Sequence, residues 1–135
     1  MTRPISNLSV LLGSMEPKLH DGVYVYCVAP HGSDVAGLSP VATISESEGL
    51  TLVLSEEQAI GAGLRVLFRA AWITLMVHSD LEAVGLTAAF AHALGQAGIS
   101  CNVVAGAYHD HIFVPFEQAQ LAMEALIELQ RVSLR

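Results

Sequence analysis

Residues 73–115 read ITLMVHSDLEAVGLTAAFAHALGQAGISCNVVAGAYHDHIFVP, and the order of patterns along them decides the fold. The stretch opens inside RVLFRAAWITLMVHS, residues 65–79, a long strand region whose part from Ala71 to Val77 is apolar on both faces, as a central strand is. Directly behind it, SDLEAVGLTAAFAHALGQAG carries a start and a stop signal. Ser79 can accept the Glu82 backbone N–H while the Glu82 carboxylate reaches back, and Gly98 closes the helix. Between them Ala83, Leu86, Phe90, Leu94 and Ala97 recur at three- and four-residue steps, an apolar stripe that lays a helix on a sheet. ISCNVVAG and HDHIFVPF then form two strands joined by a short turn near Gly106 and Ala107. From Glu117, EQAQLAMEALIELQR is a second amphipathic helix with Ala122, Met123, Leu126 and Leu129 on its core side.

Strand, helix, strand, strand, helix is the ferredoxin-like βαββαβ order with its last strand missing or reduced to VSLR, residues 132–135. An open apolar edge invites pairing, so the N-terminal strands or a strand exchanged from a second subunit must cover it. The first half reads as strands and turns. NLSVLLGSM and GVYVYCVAP are β-rich runs, and the second places Tyr24, Tyr26 and Val28 on one face with Val23, Val25 and Cys27 on the other. PHGSDVAGLSP, residues 30–40, is a loop by its Pro and Gly content. VATISESEGLTLVLS reads as a hairpin turning near Glu48 and Gly49. Ser55 followed by Glu56 and Glu57 starts a short helix that the glycines at 61 and 63 end.

Only 14% of the 135 residues are charged and 53% are hydrophobic, whereas about a quarter charged is usual, so the apolar excess points to a subunit interface. A formal net charge of −7 arises from 13 acids against 6 scattered bases. Nucleic acid and anionic membranes are thereby excluded as expected partners, since both need a concentrated cationic face. Cys27 and Cys101 lie in separate apolar runs without metal-ligand spacing and read as buried free thiols of a reducing cytosol. The start of the chain is a poor signal peptide. AAWITLMV stops at His78, short of the ~20 apolar residues a membrane span needs, so the expected location is cytoplasmic.

The polar residues leave alternatives open. His109 and His111 share one face of a strand and Asp110 points to the other. The two imidazoles, with His78 from a neighbouring strand, can chelate a transition metal; they can equally bond backbone and neighbouring acids, or Tyr108, His109 and Asp110 can line a ligand pocket. Ser79 beside His78 is no nucleophile–base pair, because adjacent strand residues face opposite ways. A helix N-terminus near Ser79 to Gly85 is a seat for a carboxylate, and Asp80 or Glu82 can hold an ammonium. Gly85, read in the first helical turns, costs about 1 kcal/mol relative to Ala and marks a close approach of backbone by ligand or by strand. Phe68, Trp72, Phe113 and Phe116 read as core. Glu46, Glu48, Glu56 and Glu57 read as a solvated edge, and His31 and His92 as exposed.

Residues 73–115 resemble the ACT family, specifically small bacterial proteins with two ACT-like modules in one chain. The resemblance is carried by the strand, the Ser79-Asp80 turn, Gly85 and the GIS-N entry into the next strand, similar to the GIN entry of ACT modules in aspartate kinases and cytosolic arginine sensors. Ser-Asp-Leu-Glu-Ala-Val-Gly stands where the family more commonly has Asp-x-Pro-Gly. The resemblance implies an α+β protein of two βαββαβ modules, antiparallel sheets with helices on one face, a divergent module over residues 1–64 and a second over 65–135. It implies a non-catalytic regulatory protein, without cofactor, that binds an amino acid or similar metabolite at an interface between modules, and a homodimer. The ligand residues it implies are His78, Ser79, Asp80, Val84 and Gly85 from the turn and Ile99, Ser100, Cys101 and Asn102 from the strand, with Tyr108, His109 and Asp110 beside them. The rival readings are a small enzyme using His109, Asp110 and His111, with or without metal, and a ligand-free protein interaction module.

Overall fold

The structure, a computed structural model, describes residues 7–77 and 84–133. It begins with a helix, α1 (Leu8–Ser14), where the sequence pattern suggests a strand. The correction has a local cause: Leu8, Leu11, Leu12 and Met15 recur at a helical step, and the Asn7 side chain accepts the Val10 N–H at 3.1 Å as N-cap. Strands β1 (Glu16–Leu19) and β2 (Tyr24–Ala29) follow, then the loop and the hairpin β3 (Ala42–Glu46) and β4 (Gly49–Ser55). Gly49 sits at the turn, where an added Cβ would lie 2.9 Å from the Ala29 carbonyl oxygen, so the hairpin requires glycine there. Ser55 caps the short α2 (Glu56–Gly61) through the Gln58 N–H.

The long strand is β5 (Val66–Met76), followed by α3 (Leu86–Gln96), β6 (Asn102–Ala105), β7 (Asp110–Pro115), a 3-10 turn (Phe116–Gln118) and α4 (Ala119–Ser133). Ser79 and Glu82 of the expected capping box lie outside the described residues. Val84 and Gly85 precede the helix, which starts only at Leu86. Gly85 is therefore its N-cap, with φ of 102°, and not a first-turn residue. VSLR supplies no strand: Val132 and Ser133 continue α4, and the last two residues lie outside the described ones.

All strands join one antiparallel sheet ordered β3-β4-β2-β5-β7-β6, with β1 also on β5. β7 occupies one edge of β5, so β1 and β2 share the other, β1 along Ile73–Met76 and β2 along Val66–Ala70. Residues 20–23 bulge out between them around Gly22, whose φ is 90°, while the His20 N–H keeps the Trp72 carbonyl at 2.9 Å. Two βαββαβ units then share a strand. The first runs β2, loop, β3, β4, α2, β5, with the loop in place of the first helix. The second runs β5, α3, β6, β7, α4, and β1 takes the place of its missing last strand. The edge is covered from within the chain, by the N-terminal segment.

Every described helix lies on one face of the sheet. Ala71, Ile73 and Leu75 of β5 point into a core with Leu11, Phe90, Leu94, Ile112, Val114 and Leu126. On the same face Val25, Cys27, Leu52 and Leu54 pack on Ala59 of α2. Each such fully buried aliphatic or aromatic side chain contributes on the order of 1.5–3 kcal/mol of transfer free energy. Phe113, buried, and Phe68 and Trp72, half-buried, lie on the other face, whereas Phe116 packs against the helix-side core. Arg69 clasps the two units from the helix side, with its Nε 2.6 Å from Glu56 of α2, Nη1 3.6 Å from Glu117 and its guanidinium over the Phe116 ring.

Candidate ligand-binding site

The C-terminal end of β5 is where the chain assembles its unusual polar groups. α3 starts at Leu86 after its N-cap Gly85, with no side-chain cap among the described residues. The Ala89 N–H already turns back to the Gly85 carbonyl at 2.9 Å, while the N–H groups of the first turn point out of the helix end. Gly85 is needed for its positive φ, and an added Cβ would come within 3.0 Å of the Leu8 side chain. Val84 beside it is 85% exposed.

Asp110 opens β7 at the same end, opposite Leu75 on one side and Ala105 on the other. Its neighbours in register place it on the helix side of the sheet, and it is 8% exposed. Among the described residues no hydrogen bond or ion pair holds its carboxylate. Burial pushes its pKa above the ordinary carboxylate range, against the opposing pull of His111. Among the described residues no Lys or Arg pairs with this carboxylate, which stands level with Leu75 near the end of β5.

His109 completes the turn: its carbonyl accepts the Gly106 N–H at 2.9 Å, and its Nδ1–H donates to the Val77 carbonyl at 3.3 Å. Tyr108 stands at the tip, 69% exposed. His111 faces away, on the helix-free side, where its Nδ1 accepts the Trp72 indole N–H at 3.1 Å and meets the Thr74 hydroxyl at 3.0 Å. The two imidazoles thus spend their Nδ1 atoms on different partners. Among the described residues no three His, Cys, Asp or Glu side chains converge as a metal site.

Of the residues singled out in the sequence, Tyr108, His109 and Asp110 stand at the turn into β7 beside the C-terminal end of β5, and Val84 and Gly85 immediately precede α3. Ile99, Ser100, Cys101 and Asn102 do not join them within the chain. β6 runs parallel to β5, so its first residue Asn102 stands level with Trp72 in the middle of β5, three positions back from Asp110's level, and Ile99 is buried in the helix-side core. Cys101 is half-buried and its thiol is pushed up to about 11 by desolvation. Asn102 donates to the Phe113 carbonyl at 3.3 Å and, with Ser100, reaches a groove on the helix-free face. His78, Ser79 and Asp80 lie outside the described residues.

One cluster had no signal in the sequence. His20 stacks on Trp72 with ring centroids 3.5 Å apart, and its Nε2 lies 2.7 Å from the Thr74 hydroxyl that also touches His111. Only the pairing of β1 with β5 brings His20 there, and no local spacing announces that pairing.

Two family models, each described as an ACT domain, match the chain, one over residues 3–71 and the other over 68–128. No curated protein matches it. Among solved structures, a Vibrio cholerae protein of unknown function, described as a possible transport protein, is 54% identical; the match covers 91% of this chain and 95% of that one, with a TM-score of 0.83. An Agrobacterium tumefaciens protein shares the fold at 16% identity, TM-score 0.67, over 86% of this chain and 89% of that one. The ligand-free regulatory subunit of aspartate kinase from Thermus thermophilus does so at 12% identity and TM-score 0.64, over 84% and 95%.

Proposed function

Because the chain belongs to the ACT domain family and carries the domain twice, we propose that it is a non-catalytic regulatory protein that binds a free amino acid at the α3 N-terminus. ACT domains are regulatory, ligand-binding modules, and the matched regulatory subunit of aspartate kinase has the same fold. What supports the reading is a pair of features of opposite polarity, the start of α3 after Gly85 and the carboxylate of Asp110 at the start of β7. The first turn of α3, without a side-chain cap among the described residues, attracts a carboxylate. Asp110, 8% exposed and held by no hydrogen bond or ion pair among the described residues, attracts an ammonium or guanidinium. A zwitterion satisfies both groups at once, whereas a plain anion or plain cation leaves one of them without a partner.

Val84, Gly85, Tyr108, His109 and Asp110 form this half of the site, together with the proposed His78, Ser79 and Asp80. Ile99, Ser100, Cys101 and Asn102 contribute from a second module, as a site at an interface between modules requires. The division into modules over residues 1–64 and 65–135 belongs to the same proposal, with α1 and β1 lent by the first to the second. We place the protein in the cytoplasm, where the unpaired Cys27 and Cys101 suit a reducing medium. No described helix is long and apolar enough to cross a membrane.

Thermal unfolding in the presence of each of the twenty amino acids tests the proposal. A ligand at a hundredfold excess over its dissociation constant adds about 2.7 kcal/mol, several degrees for a domain of this size. One or a few amino acids are expected to raise Tm, and Asp110→Asn is expected to abolish that rise while leaving the unliganded protein folded. An unchanged ligand response in Asp110→Asn, or no response to any amino acid in the wild type, sinks this reading.

A further inference from the structure

We infer that His20, Thr74 and His111 form a proton-operated latch, which ties residues 18–23 to the sheet while both imidazoles are neutral and releases them when both are protonated. This goes beyond the ligand reading and does not rest on it, because the latch needs no amino acid and lies on the helix-free face. Lys18 stands opposite Thr74 in register and Thr74 opposite His111, so the three line up across β1, β5 and β7. His20 follows the last paired residue of β1, and its N–H bonds the Trp72 carbonyl at 2.9 Å. Its ring lies flat on the Trp72 indole, 3.5 Å away at an angle of 9°, and its Nε2 meets the Thr74 hydroxyl at 2.7 Å. The same hydroxyl is 3.0 Å from His111 Nδ1, which accepts the Trp72 indole N–H at 3.1 Å. One hydroxyl thus joins a side chain of the N-terminal segment to one of β7. Thr74 is 4% exposed, so bulk water does not compete for it.

The supply of hydrogens limits the latch. An imidazole nitrogen either donates or accepts, and a hydroxyl has one hydrogen to give. A first proton, on His20, is accommodated: its Nε2–H donates to Thr74, whose own hydrogen turns to His111 Nδ1. A second, on His111 Nδ1, meets the indole N–H donor to donor. Charge adds to the conflict. Glu16 and Lys18 of β1 share that face and Asp21 follows His20, while Tyr24 of β2 meets Trp72 edge-on. His109 and Asp110 precede His111, and β6 sets the uncharged Val104 opposite it. Burial, then Lys18 and His111, lower the pKa of His20 against Asp21; burial, then His109, lower that of His111 against Asp110. Each proton is therefore bound more tightly once the latch is open, and acid favours the open state. β1 is the side that yields. Its four residues pair with β5, whereas β7 is held by β5 and β6 together. The exposed Asp21 and Gly22 give it slack, and the fully buried Leu11 and Met15 keep α1 in place, so opening is confined to residues 18–23. What opens is the β5 edge at Ile73 and Thr74, so closure of the second ACT module follows proton concentration.

Amide exchange followed by NMR at pH 7.5 and pH 5.5, without any amino acid present, tests the latch. Rates are expressed as protection factors, which removes the intrinsic pH dependence of exchange. In the wild type the His20 amide is expected to lose about tenfold in protection at the lower pH, the weight of one pKa unit, while amides pairing β2 with β4 keep theirs. The indole N–H of Trp72, the single tryptophan, is expected to shift over the same interval as its acceptor is lost. The double variant His20→Phe/His111→Gln keeps a ring on Trp72 and an acceptor for its indole N–H, and it is expected to abolish the loss of protection. Equal protection of the wild-type His20 amide at the two pH values, or an indole N–H that stays in place, overturns the proposal. So does a loss that persists in the double variant. A loss shared equally by the β2–β4 amides also overturns it, since that is acid destabilisation of the whole fold. No ligand enters these measurements, so failure of the amino-acid reading stays separate.

Discussion

His111 accepts the Trp72 indole N–H at Nδ1, so that nitrogen carries no proton in the folded state. Protonating the ring would set two donors against each other. The pKa of His111 is accordingly lowered, by burial first and by His109 next, with Asp110 opposing. That of His20 is lowered by burial, then by Lys18 and His111, with Asp21 opposing. A histidine whose folded pKa lies below its ordinary value near 6.5 leaves stability intact above that value. Stability is lost as pH falls through it toward the depressed folded pKa, because the unfolded chain binds the proton first. Asp110, raised by burial, acts with the opposite sign: stability grows as pH falls through its raised pKa toward the ordinary one. The urea midpoint is expected to drop between pH 7.5 and pH 5.5, and to drop less in His111→Gln, whose amide oxygen can still accept from Trp72. An equal drop in both proteins removes His111 as the cause. For the same reason Asp110→Asn, measured without ligand near pH 7.5, is expected to be at least as stable as the wild type, since it relieves a desolvated anion. Loss of ligand response without loss of stability is the signature of a binding residue.

α1 and β1 belong by sequence to the first half and by packing to the second. Leu11 and Met15 are fully buried among Phe90, Leu94 and Leu126, and Pro17 stands opposite Leu75. Leu11→Ala is therefore expected to cost about 2–4 kcal/mol, as a large-to-small change in a packed core does. The urea midpoint measures the loss. Amide exchange should show it centred on β5, β7 and α4, and a loss confined to β2, β3 and β4 would contradict the placement. The hairpin, α2, β5 and α4 were legible in the sequence, because a period of two or of 3.6 with a cap or turn residue at each end is a local property. α1 was misread because a run as short as NLSVLLGSM fits both periods. Its register only becomes visible once Leu11 and Met15 are seen on one face. α3 was legible as an element, and Gly85, with its positive φ, sets its start at Leu86; the expected capping box of Ser79 and Glu82 lies outside the described residues.

At the scale of the molecule, the shared strand makes the two ACT modules one folding unit. β5 pairs with β1, β2 and β7, and Arg69 ties α2 to the turn before α4. Unfolding in urea is expected to be a single transition in which Trp72 fluorescence and far-UV circular dichroism coincide. Two separated transitions would mean that the modules unfold independently. The sequence by itself determined that helices cover one side of an antiparallel sheet, because this follows from spacing within short stretches, and the resemblance of residues 73–115 to the ACT family agrees with the two ACT domain matches. Only the tertiary structure decided that β1 completes the second module, that Asn102 stands level with Trp72 and not with Asp110, and that His20, Trp72, Thr74 and His111 form one network. Each of these depends on which strand lies beside β5. Strand pairing between distant segments is selected by burial over the whole sheet, and no local pattern of residues encodes it.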